Sequence, residues 1–517
     1  MTSSLPSPIR GRVLAWIASL ARAAGLASLV LAARCGGNEP GPAPARETAA
    51  PRMRYASDGT PAMPVRPIRG TPLVVLICLD TVRADALAPY ANGPPAMPET
   101  SAWMAATATV FRDAQAPASW TAPSIASLLT GVLPSSHGVR ELGDAAHLVP
   151  SVVTLAEILA TQRFTCGAFT GGGWVSKSAG MLQGFDNPSS PFSFAARANG
   201  LVENHKMIAG RGAYFLFLHT YEAHDPYGAR ATDAGTPTPV RPYAPAELAR
   251  LDAEAETDGG RALTRLFLLD PASRASVFET AAGGARRLAV IQRWFEQGAR
   301  SDPKGFASLV AQAKGAYEAG LRRLDHALAT YLKGADEAHV LDDAIVVLCA
   351  DHGEGFGEHD TLHHGRRVYA ELTHVPLAIR APKLPRGKVI EGTCSLLDVM
   401  PTILELCGLP EAEGAGGRSL VPLALGHETT GRIAISEERR TKEETGLEVD
   451  QTLCAVRDRE TTWIGTRERR TGVLTEEIFD RSADPGEARP LPIDETLRRA
   501  SAAFRAAVDF QRRDGVR

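Results

Sequence analysis

The chain of 517 residues is poor in cysteine, in surplus charge of either sign and in long apolar runs. Seven cysteines are too few for a disulfide-dense scaffold, and no two stand at C-x-x-C spacing, which excludes a thiolate zinc knuckle. A net charge of −3 with a pI near 6.5 excludes the broad basic footprint of a general nucleic-acid binder. The apolar stretch AAGLASLVLAA at residues 23–33 is too short to span a bilayer. No internal repeat is visible. What remains, 44% apolar and 22% charged, is globular composition with room for a large core, and length alone suggests about three domains.

Arg10 and Arg12 ahead of that apolar stretch have the form of an export signal, so residues 1–34 read as a signal segment. Ala32, Ala33 and Cys35 suggest a lipoprotein processing site, although Arg34 stands where such sites carry a small residue. The expected location is periplasmic or extracellular, with membrane attachment through Cys35 as an open alternative. Residues 36–70 hold seven prolines and five glycines, and 35–70 reads as a semi-extended tether.

From residue 71 the chain becomes regular. LVVLICLD (73–80), AYFLFLH (213–219) and AIVVLCAD (344–351) are apolar runs without alternation, the pattern of strands covered on both faces. Helical patterns lie between them, at 151–162 and 314–332, and the segment 240–312 reads as inserted helices, for example at 285–297. The fold class expected is α/β, a large mostly parallel sheet flanked by helices over 71–430, with a smaller C-terminal α+β subdomain over 431–517. In that last part EERRTKEE (437–444) reads as a solvated charge run, short strands surround Cys454 and Trp463, and a helix near 495–513 closes the chain. Cys78 and Cys349 read as core packing, while Cys166, Cys394, Cys407 and Cys454 are candidates for a disulfide. Arg322, Arg323, Arg366 and Arg367 read as solvated faces, the last two also as a grip for an anionic substrate.

Asp80 and the pair Asp351–His352 each end an apolar run, where buried strands deliver polar groups to the crevice of a parallel sheet. Two such aspartates and an imidazole suit a divalent cation such as Ca, Mg, Mn or Zn, whereas Asp80 alone would read first as a helix N-cap. Thr121, in SWTAPSIASLLTG (119–131), stands at the start of a helix that ends at Gly131. There it either caps the helix or presents a hydroxyl that the helix dipole favours as an alkoxide.

These segments, with FLHTYEAHDPY (217–227), DHGEGFGEH (351–359), HHG (363–365), LLDVMPTILELCGLP (396–410), GRSL (417–420) and EEIFDRSADPGE (476–487), occur in the order of the sulfatase family of the alkaline-phosphatase superfamily, which the chain resembles over roughly 71–490. The resemblance implies a metal-dependent hydrolase of sulfate or phosphate esters. It assigns Asp80, Thr121, Asp351 and His352 to a divalent metal ion, Thr121 to the nucleophile, and His224 and His364 to catalysis and substrate contact. His137, in LPSSHGV, matches a further substrate-side position or a structural hydrogen-bonder. His359 and His363 compete with His364 for its match.

Four departures bear on the chemistry. Thr121 and Ile125 stand where sulfatases carry a formylglycine precursor (Cys or Ser) and an arginine, and Thr81 replaces a second aspartate. The lysine–histidine motif has no counterpart around GGGWVSKSAG (171–180). A threonine nucleophile also resembles that of phosphoglycerol- and phosphoethanolamine-type phosphotransferases, which, with a non-catalytic anion-binding member, form the alternatives. The partner expected is an anionic ester of a small molecule, glycan or lipid, and not nucleic acid.

Overall fold

The structure, a computed structural model, describes residues 52–53, 72–141, 146–208, 211–227, 241–279, 283–428, 432–442 and 447–493. The signal segment, Cys35, nearly all of the tether and the closing helix near 495–513 lie outside the described residues. Among the described residues no helix is long and apolar enough to cross a membrane.

The main sheet contains β1 (Leu73–Leu79), β2 (Thr109–Gln115), β3 (Thr165–Phe169), β4 (Tyr214–Thr220), β5 (Ile345–Cys349), β6 (Leu377–Arg380) and β7 (Lys388–Ser395). Its order is β3-β4-β1-β5-β6-β2, with β7 and the two-residue strand His374–Val375 also pairing with β2. The block β3-β4-β1-β5 is parallel throughout; β6 runs antiparallel to both of its neighbours, and β2 and β7 are parallel. The three non-alternating apolar runs are thus adjacent strands at the centre. Every residue from Val74 to Leu79 is fully buried, because helices cover both faces. Burying each such Val, Leu or Ile side chain contributes about 1.5–3 kcal/mol relative to exposure.

The helices that matter for the site are α1 (Pro98–Thr107), α2 (Thr121–Thr130), α3 (Leu155–Thr161), α4 (Phe194–Ile208), α5 (Pro245–Asp258), α6 (Arg261–Leu269), α7 (Gly284–Ser301), α8 (Pro303–Glu337) and α9 (Val399–Leu406). Their ends follow local chemistry. Helix α2 stops at Gly131, whose φ of 69° suits a residue without a Cβ, and α3 starts on a reciprocal capping box between Thr154 and Glu157. Among the described residues of 241–312, α5, α6, α7 and the first part of α8 supply most of the chain. The helix expected at 314–332 extends in both directions, opened by the Asp302 cap and Pro303. Its buried face, including Leu309, Ala313, Tyr317, Leu321, Leu324, Leu328 and Tyr331, recurs at helical spacing and packs on α1 and α4.

A second sheet is the antiparallel meander β8 (Ala434–Arg440), β9 (Gln451–Arg457), β10 (Thr461–Glu468) and β11 (Leu474–Asp480). Here the structure corrects the sequence. Glu437, Glu438, Arg439 and Arg440 are not a solvated run; they form the buried second half of β8. Each finds a partner distant in sequence: Glu437 accepts from Ser135 N at 2.8 Å, Glu438 from Ser119, Arg439 donates to Glu141 at 2.8 Å and Arg440 to Glu296 at 2.8 Å. Arg366 is likewise buried, its Nε 3.8 Å from Glu296, which Arg367 also grips at 2.7 Å. Arg322 and Arg323 are exposed as expected. Cys166, Cys394, Cys407 and Cys454 are free thiols, so no disulfide forms among the described residues.

Between α4 and α8, buried His205 places Nε2 2.7 Å from the Tyr331 hydroxyl, and burial pushes the imidazole down to about 4. The folded state therefore resists a proton that the unfolded chain accepts near pH 6.5, and stability falls as the pH drops from 6.5 towards 4. We expect His205→Gln, which keeps a donor for Tyr331, to retain about 2 kcal/mol more of its pH 8 stability at pH 5 than the parent does, measured by urea melts at both pH values. Identical acid losses in the two proteins would refute this.

Candidate active site

Strands β1 and β5 lie in parallel register with Cys78 opposite Cys349. Two residues further along each, Asp80 and Asp351 emerge on one face at the same edge, both fully buried. The turn after Asp80 is strained. Thr81, a β-branched residue, has a φ of 59°, held by Thr81 N donating to Asp351 Oδ1 (3.3 Å), Thr81 Oγ1 to the Asp80 carbonyl (2.7 Å) and Tyr317 OH to the Thr81 carbonyl (2.9 Å). The Thr81 hydroxyl is spent on backbone and does not replace the carboxylate it stands for.

Helix α2 is docked on β5 through Ser124 Oγ, which donates to the Asp351 carbonyl at 2.6 Å. Trp120, not Thr121, occupies the N-cap position, and no side chain caps this helix. The Thr121 hydroxyl instead donates to Asp80 Oδ2 at 3.1 Å and lies 3.4 Å from His352 Nε2. Its role as a helix cap is thereby excluded. Asp80 caps nothing either, since Arg83 precedes the next helical turn. The segment leading into α2 is braced from β8: Ser436 Oγ donates to the Ala116 carbonyl (2.7 Å), Glu437 N to the Pro117 carbonyl (2.8 Å), and Ser119 bonds Glu438.

The donor atoms of Asp80, Asp351 and His352 all lie within 4.8 Å of one another. Asp80 Oδ1 and Asp351 Oδ2 are buried and accept no hydrogen bond. His352 Nδ1 donates to the Gly353 carbonyl at 2.9 Å, which turns Nε2 to face Thr121 and both carboxylates. Burial and the neighbouring Asp80 charge push the Asp351 carboxyl up to about 7. Burial opposes ionisation of Asp80 too, but His224, His219 and His352 outweigh it and hold that carboxyl below the ordinary range. Two orphaned carboxylate oxygens and one imidazole nitrogen aimed at a common point form a donor set for a divalent cation.

Around this centre stand further histidines. His219, which the sequence offers only as the end of a strand, bonds Asp80 Oδ2 through Nε2 at 3.2 Å, its tautomer set by Gly171 N donating to Nδ1. His224 Nε2 is 4.0 Å from Asp80 Oδ1, and its Nδ1 is 2.9 Å from Asp225 Oδ1. Burial would lower this imidazole, but Asp225 and Asp80 raise it to about 9. The His364 ring lies 4.6 Å from that of His352 and 5.0 Å from that of His224. Its Nδ1 bonds Glu354 at 3.1 Å, and Tyr227 OH donates to the same carboxylate at 2.7 Å. Burial, and the adjacent His363, press His364 down to about 3. Of its competitors, His363 bonds Asp225 and His359 turns away towards Glu371 and the Glu487 carbonyl. His137 is not brought to the centre. It accepts from Val139 N (3.1 Å) and bonds Ser127 (2.9 Å), more than a helical turn beyond Thr121. Asp225, Tyr227, Arg274 and Glu354 went unread, and only the H-D and D-H-G-E clusters hinted at two of them.

A family model described as Sulfatase matches residues 72–409, more than half of the chain. Among curated proteins the chain is similar to the multifunctional alkaline phosphatase superfamily protein PehA of Trinickia caryophylli, at 28% identity over 293 residues covering 53% of this chain and 50% of that protein. It is similar to choline-sulfatase of Rhizobium meliloti at 28% identity, covering 38% of each chain. The matches thus span half the length or less of these curated relatives. Among solved structures, phosphonate monoester hydrolase from Silicibacter pomeroyi superposes with a TM-score of 0.58 at 18% identity, covering 86% of this chain and 95% of that one, a likeness of fold.

The orphaned oxygens generate an expectation for stability. Asp351→Asn keeps an acceptor for Thr81 N and His352 N and removes one of two repelling buried acids. In chelator it should melt a few degrees above the parent. Added Mn²⁺, Mg²⁺, Ca²⁺ or Zn²⁺ should raise the melting temperature of the parent and leave the variant nearly unmoved. A parent indifferent to all four ions would refute the donor-set assignment.

Proposed function

The chain belongs to the sulfatase family, and from that premise we propose that it is an exported, metal-dependent hydrolase of sulfate, phosphate and related phosphonate esters with Thr121 as its nucleophile. The observation that carries this reading is the Thr121 hydroxyl, bonded to Asp80 and facing His352 where two carboxylate oxygens lack partners. The names of the relatives, which include a choline-sulfatase and a phosphonate monoester hydrolase, support sulfate and phosphonate esters among these classes.

Asp80, Asp351, His352 and Thr121 Oγ1 would hold the cation, which when bound supplies a Lewis acid at the ester oxyanion and lowers the pKa of the threonine hydroxyl. The chain's own groups do the rest. The Thr121 proton leaves along its hydrogen bond to Asp80 Oδ2, and Oγ1 attacks sulfur or phosphorus in line with the leaving oxygen. The first residues of α2 place the positive end of a helix dipole at that alkoxide. His224, with Nδ1 tied to Asp225, presents a protonated Nε2 to the leaving oxygen. His364, oriented by Glu354, faces the same space and is the group placed to take a proton from an incoming water. Threonine carries one oxygen on its β-carbon, so the ester formed on it cannot collapse by carbon–oxygen cleavage as a formylglycine hemiacetal does. Water must attack phosphorus or sulfur itself. That route favours phosphorus, and phosphoester turnover should exceed sulfate-ester turnover.

The test is a panel of 4-nitrophenyl sulfate, phosphate and phosphonate esters with added divalent cations. Thr121→Ala should lower kcat/KM at least about 10³-fold, while Thr121→Ser keeps part of the activity. Rapid-quench mass spectrometry should find a phosphoryl group on the Thr121 peptide. Full activity in Thr121→Ala would remove the nucleophile, and sulfate turnover well above phosphate turnover would reverse the substrate preference.

A further inference from the structure

We propose that Asp225 is a positioning residue for this reaction, tying His224 to Arg274 of the helical segment and to His363 so that the Nε2 proton of His224 is aimed at the leaving oxygen. The inference rests on the reading above and deepens it. Asp225 is buried and gathers donors from three separate parts of the chain. His224 Nδ1 lies 2.9 Å from Oδ1 and 2.8 Å from the Asp225 carbonyl; both are acceptors, so Nδ1 carries a proton and the ring is fixed in one orientation. His363 Nε2 lies 3.0 Å from the same Oδ1, and the Arg274 guanidinium grips Oδ2.

The two outer partners are themselves immobilised. The Arg274 guanidinium stacks 4.0 Å above the Phe267 ring of α6, and His363 stacks at 4.8 Å on Phe295 of α7. The helical segment 240–312 therefore reaches the reacting centre through Asp225. With the guanidinium on Oδ2 and two imidazoles on Oδ1, the Asp225 carboxylate is held in one place and in turn holds the Nδ1–H of His224. In the step concerned, the bond from phosphorus or sulfur to the leaving oxygen breaks with its electron pair staying on oxygen. That oxygen takes the proton from His224 Nε2, and the resulting neutral imidazole retains its Nδ1–H bond to Asp225. The water that later cleaves the Thr121 ester gives its proton to His364, whose ring lies 5.0 Å from that of His224, and its return from there restores the Nε2 proton of His224.

Proton donation matters most for poor leaving groups, which separates positioning from mere support of the fold. Aryl phosphates spanning 4-nitrophenyl to phenyl, with an alkyl ester, would be compared in the parent, Asp225→Asn and Arg274→Gln, all as full chains loaded with the activating cation. In Asp225→Asn we expect kcat to fall about 100-fold for phenyl and alkyl esters and less than about 5-fold for the 4-nitrophenyl ester, with KM little changed. Arg274→Gln should show the same leaving-group dependence, weakened to about 10-fold, because the carboxylate remains but is no longer anchored. Equal losses across the series, or none, would overturn the proposal. Should the parent turn over no ester, the function reading fails instead, and a crystal structure of Asp225→Asn decides the positioning role alone. A displaced His224 ring with the Thr121–Asp80 contact intact supports it; an unmoved ring overturns it.

Discussion

Two carboxylates, Asp80 and Asp351, are fully buried at the ends of neighbouring parallel strands, and much of the surrounding architecture answers the cost of holding them there. The strand cores behind them are dry and apolar, with two thiols directly beneath, so relief comes only from the open edge. Asp351 accepts from the backbone N–H groups of Thr81 and His352, and Asp80 from Thr121 and His219. Each is left with one oxygen unserved, and both face the same point. The strained Thr81 turn, the docking of α2 on the Asp351 carbonyl and the orientation of His352 are the ways in which the chain closes around that shared deficit.

Layers more distant from the sheet hold the first ones in place. The C-terminal meander carries none of the groups that converge on the centre. Its first strand grips the 116–119 segment immediately before Thr121, and the α6–α7 segment holds His363 and Asp225 through Phe267, Phe295 and Arg274. A hydroxyl on a helix start is aimed only as well as the segment feeding it. Both peripheral units thus set the geometry of the centre without joining the groups that converge there.

Much of the centre was legible in the sequence because it obeys local rules. Non-alternating runs that stop at a carboxylate mark central parallel strands, and the order of motifs aligned Asp80, Thr121, Asp351, His352, His224 and His364, which the fold does bring together. What escaped the sequence depends on partners far away along the chain. Glu437 to Arg440 reads as surface because four consecutive charges usually are; here each meets a complement some hundred or more residues distant and goes under. Arg366 and Arg367 are misread for the same reason. Asp225 and Glu354 differ from neighbouring surface acids only through the histidines they orient, and His137 matches a pattern whose position the fold uses for packing.

The Glu296 carboxylate of α7, almost wholly buried, receives Arg440 from the meander and Arg367 and Arg366 from the loop that carries His364. Removing it would leave three guanidinium groups confronting one another out of water, and losing one member of a buried pair costs on the order of 3–5 kcal/mol. The consequence reaches three separate parts of the chain. In this chain, replacing the helical segment, the 363–367 loop or β8 alone by a version without its share of the cluster would strand a charge, although 140 positions separate Glu296 from the start of that strand's acidic run.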